Sequence, residues 1–189
     1  DNRPFKQQLR RHPIAHLPII DEQVEKMLQH DIIEPSSRPW ASNVVLIQKA
    51  DGGHRFCIDF RQLNLLTFKD SYPLPRIDTC MDSLGGSTLF STLDLRQGYW
   101  QIPLDPHSAG KTTFVTRKGS WKFRVLAYGL SNAPACFQRI MDRVLVGLTW
   151  EICLAFLDDV IIFSRTFEQH LERLSKVFDR LREANLKLK

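Results

Sequence analysis

The sequence predicts an α+β fold in which helices pack on one face of a mostly antiparallel sheet. Three observations predict it. Short β-rich runs come in pairs around polar, glycine-containing turns. Segments with apolar residues at three- and four-residue spacing lie between those pairs. The chain has 189 residues, 43% of them hydrophobic and 25% charged, which is enough apolar material for the core of one domain, or one domain with a small appendage.

The elements follow in order. Residues 1–20 carry scattered prolines and basic residues with little periodicity and read as an extended arm. Residues 21–31 suit a short helix, with Asp21 as its cap and Val24, Met27 and Leu28 on one face. Pro35 and Pro39 break the pattern. The runs 43–49 and 54–60 flank Ala50-Asp51-Gly52-Gly53, a hairpin signal. Residues 75–86 read as a helix with proline early and glycine at its end. Residues 87–95 read as a strand, and 111–116 with 121–126 as a second hairpin. The clearest helix starts near Ser131, with Pro134 in its first turn and Phe137, Ile140, Met141, Val144, Leu145 and Leu148 on one face. Residues 151–164 form two apolar strands joined at Asp158-Asp159. Thr166 and Gln169 then form a capping box before a last helix, with Leu171, Leu174, Phe178 and Leu181 on one face.

A formal charge of +5 permits nucleic-acid binding without requiring it. Cys57, Cys80, Cys136 and Cys153 show no C-x-x-C spacing, which argues for buried thiols rather than a disulfide framework or zinc site. No apolar run reaches about 18 residues, so no membrane span is expected. Both ends of the chain read as cut from something longer.

Asp158 and Asp159 are the most unusual feature, two adjacent acids between AFL and VIIF. Burying unpaired carboxylates costs several kcal/mol each. Two like charges about 4 Å apart repel by about 4 kcal/mol at an effective dielectric near 20. A solvated turn would avoid this cost, since Asp favours turns. A metal site would offset it. Asp94 ends a similar apolar strand and would join the pair if the strands lie side by side. Oxygen-rich sites of this kind suit Mg²⁺. Alternation along a regular strand lets only one of the two adjacent acids face Asp94. Asp158 is taken as the principal ligand and Asp159 as support.

Around these acids the chain resembles the reverse transcriptases of gypsy-type long-terminal-repeat retrotransposons. RFCIDFRQLN (55–64), YPLPRID (72–78), STLDLRQGYWQIPL (91–104), KTTFVT (111–116), YGLSNAPACFQRIMD (128–142) and FLDDVIIFS (156–164) occur in the family's order and spacing. The resemblance implies a right-hand polymerase: an N-terminal arm over 1–20, fingers with an early palm segment over 21–86, and palm over 87–189. It also implies that thumb and ribonuclease H regions lie outside the sequence. Phe156 stands where many relatives have Tyr, and Ala127 and Tyr128 where Pro and Phe are more usual.

The same resemblance implies the roles of individual residues. Asp94, Asp158 and Asp159 look like the catalytic triad, holding two Mg²⁺ ions (Mn²⁺ as substitute) with help from the backbone carbonyl of Leu95. Lys49 and Arg55 look like grips on the incoming triphosphate; either is otherwise a solvated hairpin charge. Tyr99 matches a steric gate against a 2′-hydroxyl, or is a half-buried core tyrosine. Tyr128 and Gly129 match a loop touching nucleotide or template, and Gln138 is a weaker candidate template contact or an exposed helical Gln. The implied activity is addition of dNTPs to a primer on an RNA or DNA template, with no membrane partner. The implied location is cytoplasmic, in a retroelement particle, or nuclear. Two other readings compete. One is a domesticated or decayed fragment that binds nucleic acid or protein without catalysis, against which the three intact acids argue. The other is a nuclease, which needs neither a basic hairpin nor an aromatic gate.

Overall fold

A computed structural model describes residues 3–50 and 52–189. In chain order, α1 (Leu17–Gln29), β1 (Ile33–Pro35), β2 (Ser42–Gln48), β3 (His54–Ile58) and α2 (Arg61–Leu66) come first. Then follow α3 (Ile77–Ser83), β4 (Leu89–Asp94), α4 (Pro106–Ala109), β5 (Phe114–Thr116) and β6 (Gly119–Phe123). α5 (Ala133–Val144), β7 (Cys153–Phe156), β8 (Asp159–Ser164) and α6 (Phe167–Glu183) complete the chain. Asp51 of the expected 50–53 turn, and the first two residues of the arm, lie outside the described residues.

The chain forms two compact units, each made of two stretches of sequence. The first runs to Lys69 and adds Ile102–Ala133; the second joins Asp70–Gln101 to Pro134–Lys189. The reason is strand pairing. The β5–β6 hairpin returns to complete the sheet begun by β1 and β2, giving the order β1-β6-β5-β2-β3. Every pair in that sheet is antiparallel except β2–β5, which is parallel at Ser42↔Phe114 and Asn43↔Val115.

In the first unit the arm lies extended along the start of β2. Lys6 bridges Ala41 in parallel, the Asn43 N–H donates to Gln7 Oε1, and the Asn43 side-chain Nδ2 donates to the Gln8 carbonyl. Helix α1 begins at Leu17, four residues before the expected start, with a proline in its first turn where no N–H is needed. Asp21 is therefore no cap. It is buried inside the helix and bonded to Arg117, with Lys118 at 3.5 Å. Val24 and Met27 of α1 are buried, as are the rings of Phe60, Phe114 and Phe123, the last two 5.6 Å apart.

The second unit is built on an antiparallel sheet of order β4-β8-β7. Phe137, Met141 and Leu145, at four-residue spacing along and just beyond α5, are fully buried as the periodicity predicts. Helix α6 packs on β8 and β4. Its N-cap is as expected, with the Thr166 hydroxyl accepting from the N–H of Gln169. Its buried face is not. His170, Val177 and Leu181 face inward, while Leu171 and Phe178 are exposed.

All four cysteines are free thiols. Burial pushes the Cys153 thiol up to about 11, so it stays protonated and unreactive near neutral pH. Among the described residues, no helix is long and apolar enough to cross a membrane.

Candidate active site on the carboxylate turn

β7 and β8 form a hairpin closed by the pair Phe156↔Asp159, so Leu157 and Asp158 are its two turn residues. The two strands join at the acids as expected, but alternation along a regular strand does not apply to both of them. Asp158 lies in the turn, free of strand alternation, while Asp159 is the first residue of β8. The β4–β8 register sets Asp94 directly opposite Asp159, so these two acids share a sheet face. The Leu95 N–H donates to the Asp158 carbonyl at 3.2 Å and ties the turn to the end of β4.

Leu157 has a φ of +55°, a left-handed conformation unusual for a branched side chain. Such strain persists only where the surroundings enforce it. Gln138 of α5 is the enforcing group. Its Oε1 accepts from the Leu157 N–H at 3.0 Å, and its Nε2 donates to the Ala155 carbonyl at 3.0 Å and to Asp142 Oδ1 at 3.0 Å. Tyr72 donates to the other Asp142 oxygen at 2.6 Å. Gln138 is 0% exposed, so it is not the exposed helical Gln that stood as the alternative to a template contact.

Behind the turn, Gly98 leaves space that no other residue would. A Cβ there would sit 3.0 Å from the Phe137 ring and 3.3 Å from Asp158 Cγ. Tyr99 follows, buried, with its ring 5.1 Å from that of Phe137.

Asp158 Oδ1 is buried without a hydrogen-bond partner. Burial raises the Asp158 carboxyl above its ordinary range, and the charges of Asp159 and Asp94 add to the rise. Asp94 is half exposed and accepts from Lys189 Nζ at 3.1 Å. Among the described residues, no three acidic, His or Cys side chains are already gathered closely enough to hold a metal. The donor set nonetheless suits one: hard carboxylate oxygens that repel each other, one of them orphaned.

In the first unit, Lys49 and Arg55 are exposed on the β2–β3 hairpin. The register places Arg55 opposite Ile47, two residues from Lys49, so both cations fall on one face. Tyr128 is 45% exposed, and Gly129 has a φ of +91° that favours glycine. Asn64 holds this loop, donating to the Gly129 carbonyl and accepting from the Ser131 N–H, both at 2.8 Å.

A family profile described as reverse transcriptase (RNA-dependent DNA polymerase) matches residues 47–189. The chain belongs to the reverse transcriptase family. Over 186 residues it is 39% identical to the retrovirus-related Pol polyprotein from transposon 297 of Drosophila melanogaster, covering 95% of this chain and 18% of that one. It is 37% identical over 175 residues to the corresponding polyprotein of transposon gypsy, covering 89% of this chain and 17% of that one. An RNA-directed DNA polymerase homolog of Oenothera berteroana is 42% identical over 126 residues, 65% of this chain and 89% of that one. The chain thus spans about a fifth of the length of the transposon polyproteins it matches. In fold it resembles the foamy viral protease-reverse transcriptase solved with double-stranded DNA, with a TM-score of 0.89, 22% identity, and coverage of 100% of this chain and 33% of that one. A related structure of the foamy viral enzyme holds an RNA/DNA hybrid, with a TM-score of 0.85 at 22% identity and coverage of 98% of this chain and 25% of that one.

In this reverse transcriptase chain, Gly98 and Lys189 had no role assigned from sequence, and the burial of Gln138 was not legible, because a helical Gln carries no sign of whether it is buried. Gly98 was readable in principle, as a lone glycine beside two aromatics and three residues after Leu95. Lys189 carried no signal at all, since its contact with Asp94 spans 95 positions.

Proposed function

We propose that this chain is the polymerase portion of a retroelement reverse transcriptase, adding dNTPs to a primer 3′-hydroxyl on an RNA or DNA template. The observation that carries this reading is the carboxylate turn: Asp94 opposite Asp159 in register, with the orphaned Asp158 oxygen beside them. On this reading the second unit is palm and the first is fingers.

Asp94, Asp158 and Asp159, with the Leu95 carbonyl, would hold divalent ions, Mg²⁺ or in substitution Mn²⁺. Such ions, when bound, supply Lewis-acid activation of the hydroxyl and neutralise charge on the departing pyrophosphate. The protein's own residues do the positioning. Gln138 fixes the turn that aims Asp158. Gly98 lets the backbone approach that carboxylate. Tyr99, propped on Phe137, would close the space that a ribose 2′-hydroxyl needs. Lys49 and Arg55 would meet the triphosphate, the lysine as a point charge and the arginine as a planar fork. Tyr128 and Gly129 would border nucleotide or template. The duplexes bound by the foamy viral relatives support primer-template as the partner.

Primer extension with dNTPs and Mg²⁺ tests this, on RNA and on DNA templates in parallel. Asp158→Asn is expected to reduce extension at least ~100-fold, the scale of removing one transition-state charge stabiliser. Equal extension by wild type and variant would refute the site. Binding of primer-template without extension by the wild type would favour a decayed, non-catalytic fragment.

A further inference from the structure

We propose that Lys189 is an internal counter-ion of the carboxylate site, delivered by a docked strand and displaced from Asp94 when a divalent cation binds. The proposal rests on reading Asp94 as a metal ligand.

The delivery begins where α6 ends. Asn185 adopts a φ of +55°, its N–H reaches the Arg182 carbonyl, and the Leu186 N–H reaches the Leu181 carbonyl. These two bonds are the helix-ending pattern that turns a chain sharply back. The next residues run antiparallel along β4, an edge strand of its sheet. The Arg96 N–H donates to the Lys187 carbonyl at 3.0 Å, and the Lys189 N–H donates to the Asp94 carbonyl at 3.0 Å. Gln101 clamps the segment from the side: its Oε1 accepts from the Lys187 N–H at 2.7 Å, and its Nε2 donates to the Lys187 carbonyl at 2.9 Å. Five backbone groups are thereby satisfied by a segment four residues long.

The sequence of that segment fits the task. Leu186 and Leu188 are half-buried, while Lys187 and Lys189 alternate with them and are exposed. Of the two lysines, Lys189 is the one that reaches a carboxylate, at 3.1 Å from Asp94 Oδ2. A positive charge at that point lowers the repulsion that raises Asp158, because Asp94 is one of its sources. A cation entering between the acids must recruit the same Asp94 carboxylate, whose Oδ2 the lysine holds. Lysine and metal therefore compete, and the docked strand sets how strongly.

Mn²⁺ titration of the whole 189-residue chain, followed by the electron paramagnetic resonance of free Mn²⁺, reads the competition without any turnover. Lys189→Gln is expected to tighten Mn²⁺ binding about two- to fivefold, the range for a partly exposed ion pair. Gln101→Ala changes no charge but loosens the clamp, and is expected to tighten binding in the same direction. Lys187→Gln removes the same charge one pleat away and is expected to act less. Unchanged or weaker binding by Lys189→Gln overturns the proposal. So does a Lys187→Gln effect as large as that of Lys189→Gln, or a Gln101→Ala chain that binds like wild type. Asp158→Asn separates the two levels: undiminished Mn²⁺ binding by that variant would sink the metal site itself, whatever the lysines do.

Discussion

Gln138 engages one turn with both ends of its amide and reaches Asp142 on its own helix as well. Oxygen and nitrogen are both occupied, and the groups they satisfy belong to the strained residue Leu157 and to Ala155 on the strand before it. Replacing it by leucine keeps the volume and helix propensity but strands the Leu157 N–H and the Ala155 carbonyl in a buried place. Leaving buried groups unsatisfied costs roughly 1–3 kcal/mol. Gln138→Leu is expected to lower the urea midpoint accordingly and to reduce primer extension at saturating dNTP, because the turn that carries Asp158 is no longer pinned. Loss of stability with full activity would show that the turn holds its shape without the amide. The acids were legible in the sequence because charge inside an apolar run is costly wherever it occurs. Their support was not, because a buried glutamine and an exposed one are the same letter.

Helix α6 shows how far periodicity reaches. Its start was legible because capping is local: Thr166 and Gln169 are three residues apart. Its buried face was misjudged because the helix carries two apolar stripes, and only the sheet beneath decides between them. The polar residue His170 settles the choice. Its Nε2 lies 2.8 Å from Ser91 Oγ on β4, and its Nδ1 lies 2.9 Å from Ser164 Oγ on β8. Ser164 Oγ also donates to the Thr166 carbonyl at 3.2 Å, so the N-cap and the buried histidine belong to one network. Thr166→Ala is expected to cost about 1 kcal/mol of stability, and Thr166→Ser none, because serine caps at least as well as threonine. Urea denaturation of both variants distinguishes a working cap from an incidental contact. Equal midpoints for Ala and wild type would mean that the His170 network alone holds the helix start.

For the chain as a whole, hairpins were legible and the division into units was not. A hairpin is announced by residues a few positions apart. The parallel pairing of β2 with β5 joins residues about 70 positions apart and leaves no local mark. Ion pairs, two of them of similarly long reach, shape the response of the chain to acid. Hydrogen bonds to Arg117, Arg61 and Arg139 hold the carboxyls of Asp21, Asp59 and Asp70 below the ordinary Asp range. A carboxyl lowered in the folded state contributes stability that is present above its unfolded value and lost as pH falls through its folded one. Asp158 has the opposite sign: it is raised when folded, so protonation relieves a cost as pH falls through its raised value. On acidification from neutrality, stability should first hold or rise slightly, then drop below about pH 4, the unfolded value of Asp, as the three pairs are lost. Asp21 should contribute most to the drop, being 8% exposed while Arg117 and Lys118 both face it. Asp21→Asn is expected to lower stability at pH 7 by roughly 1–2 kcal/mol, since its arginine is half exposed, and to flatten the drop below pH 4. Urea midpoints of the two proteins between pH 7 and pH 3 provide the measurement. Parallel curves would mean that the acid response of this chain comes from other groups than the Asp21–Arg117 pair at the β5–β6 turn.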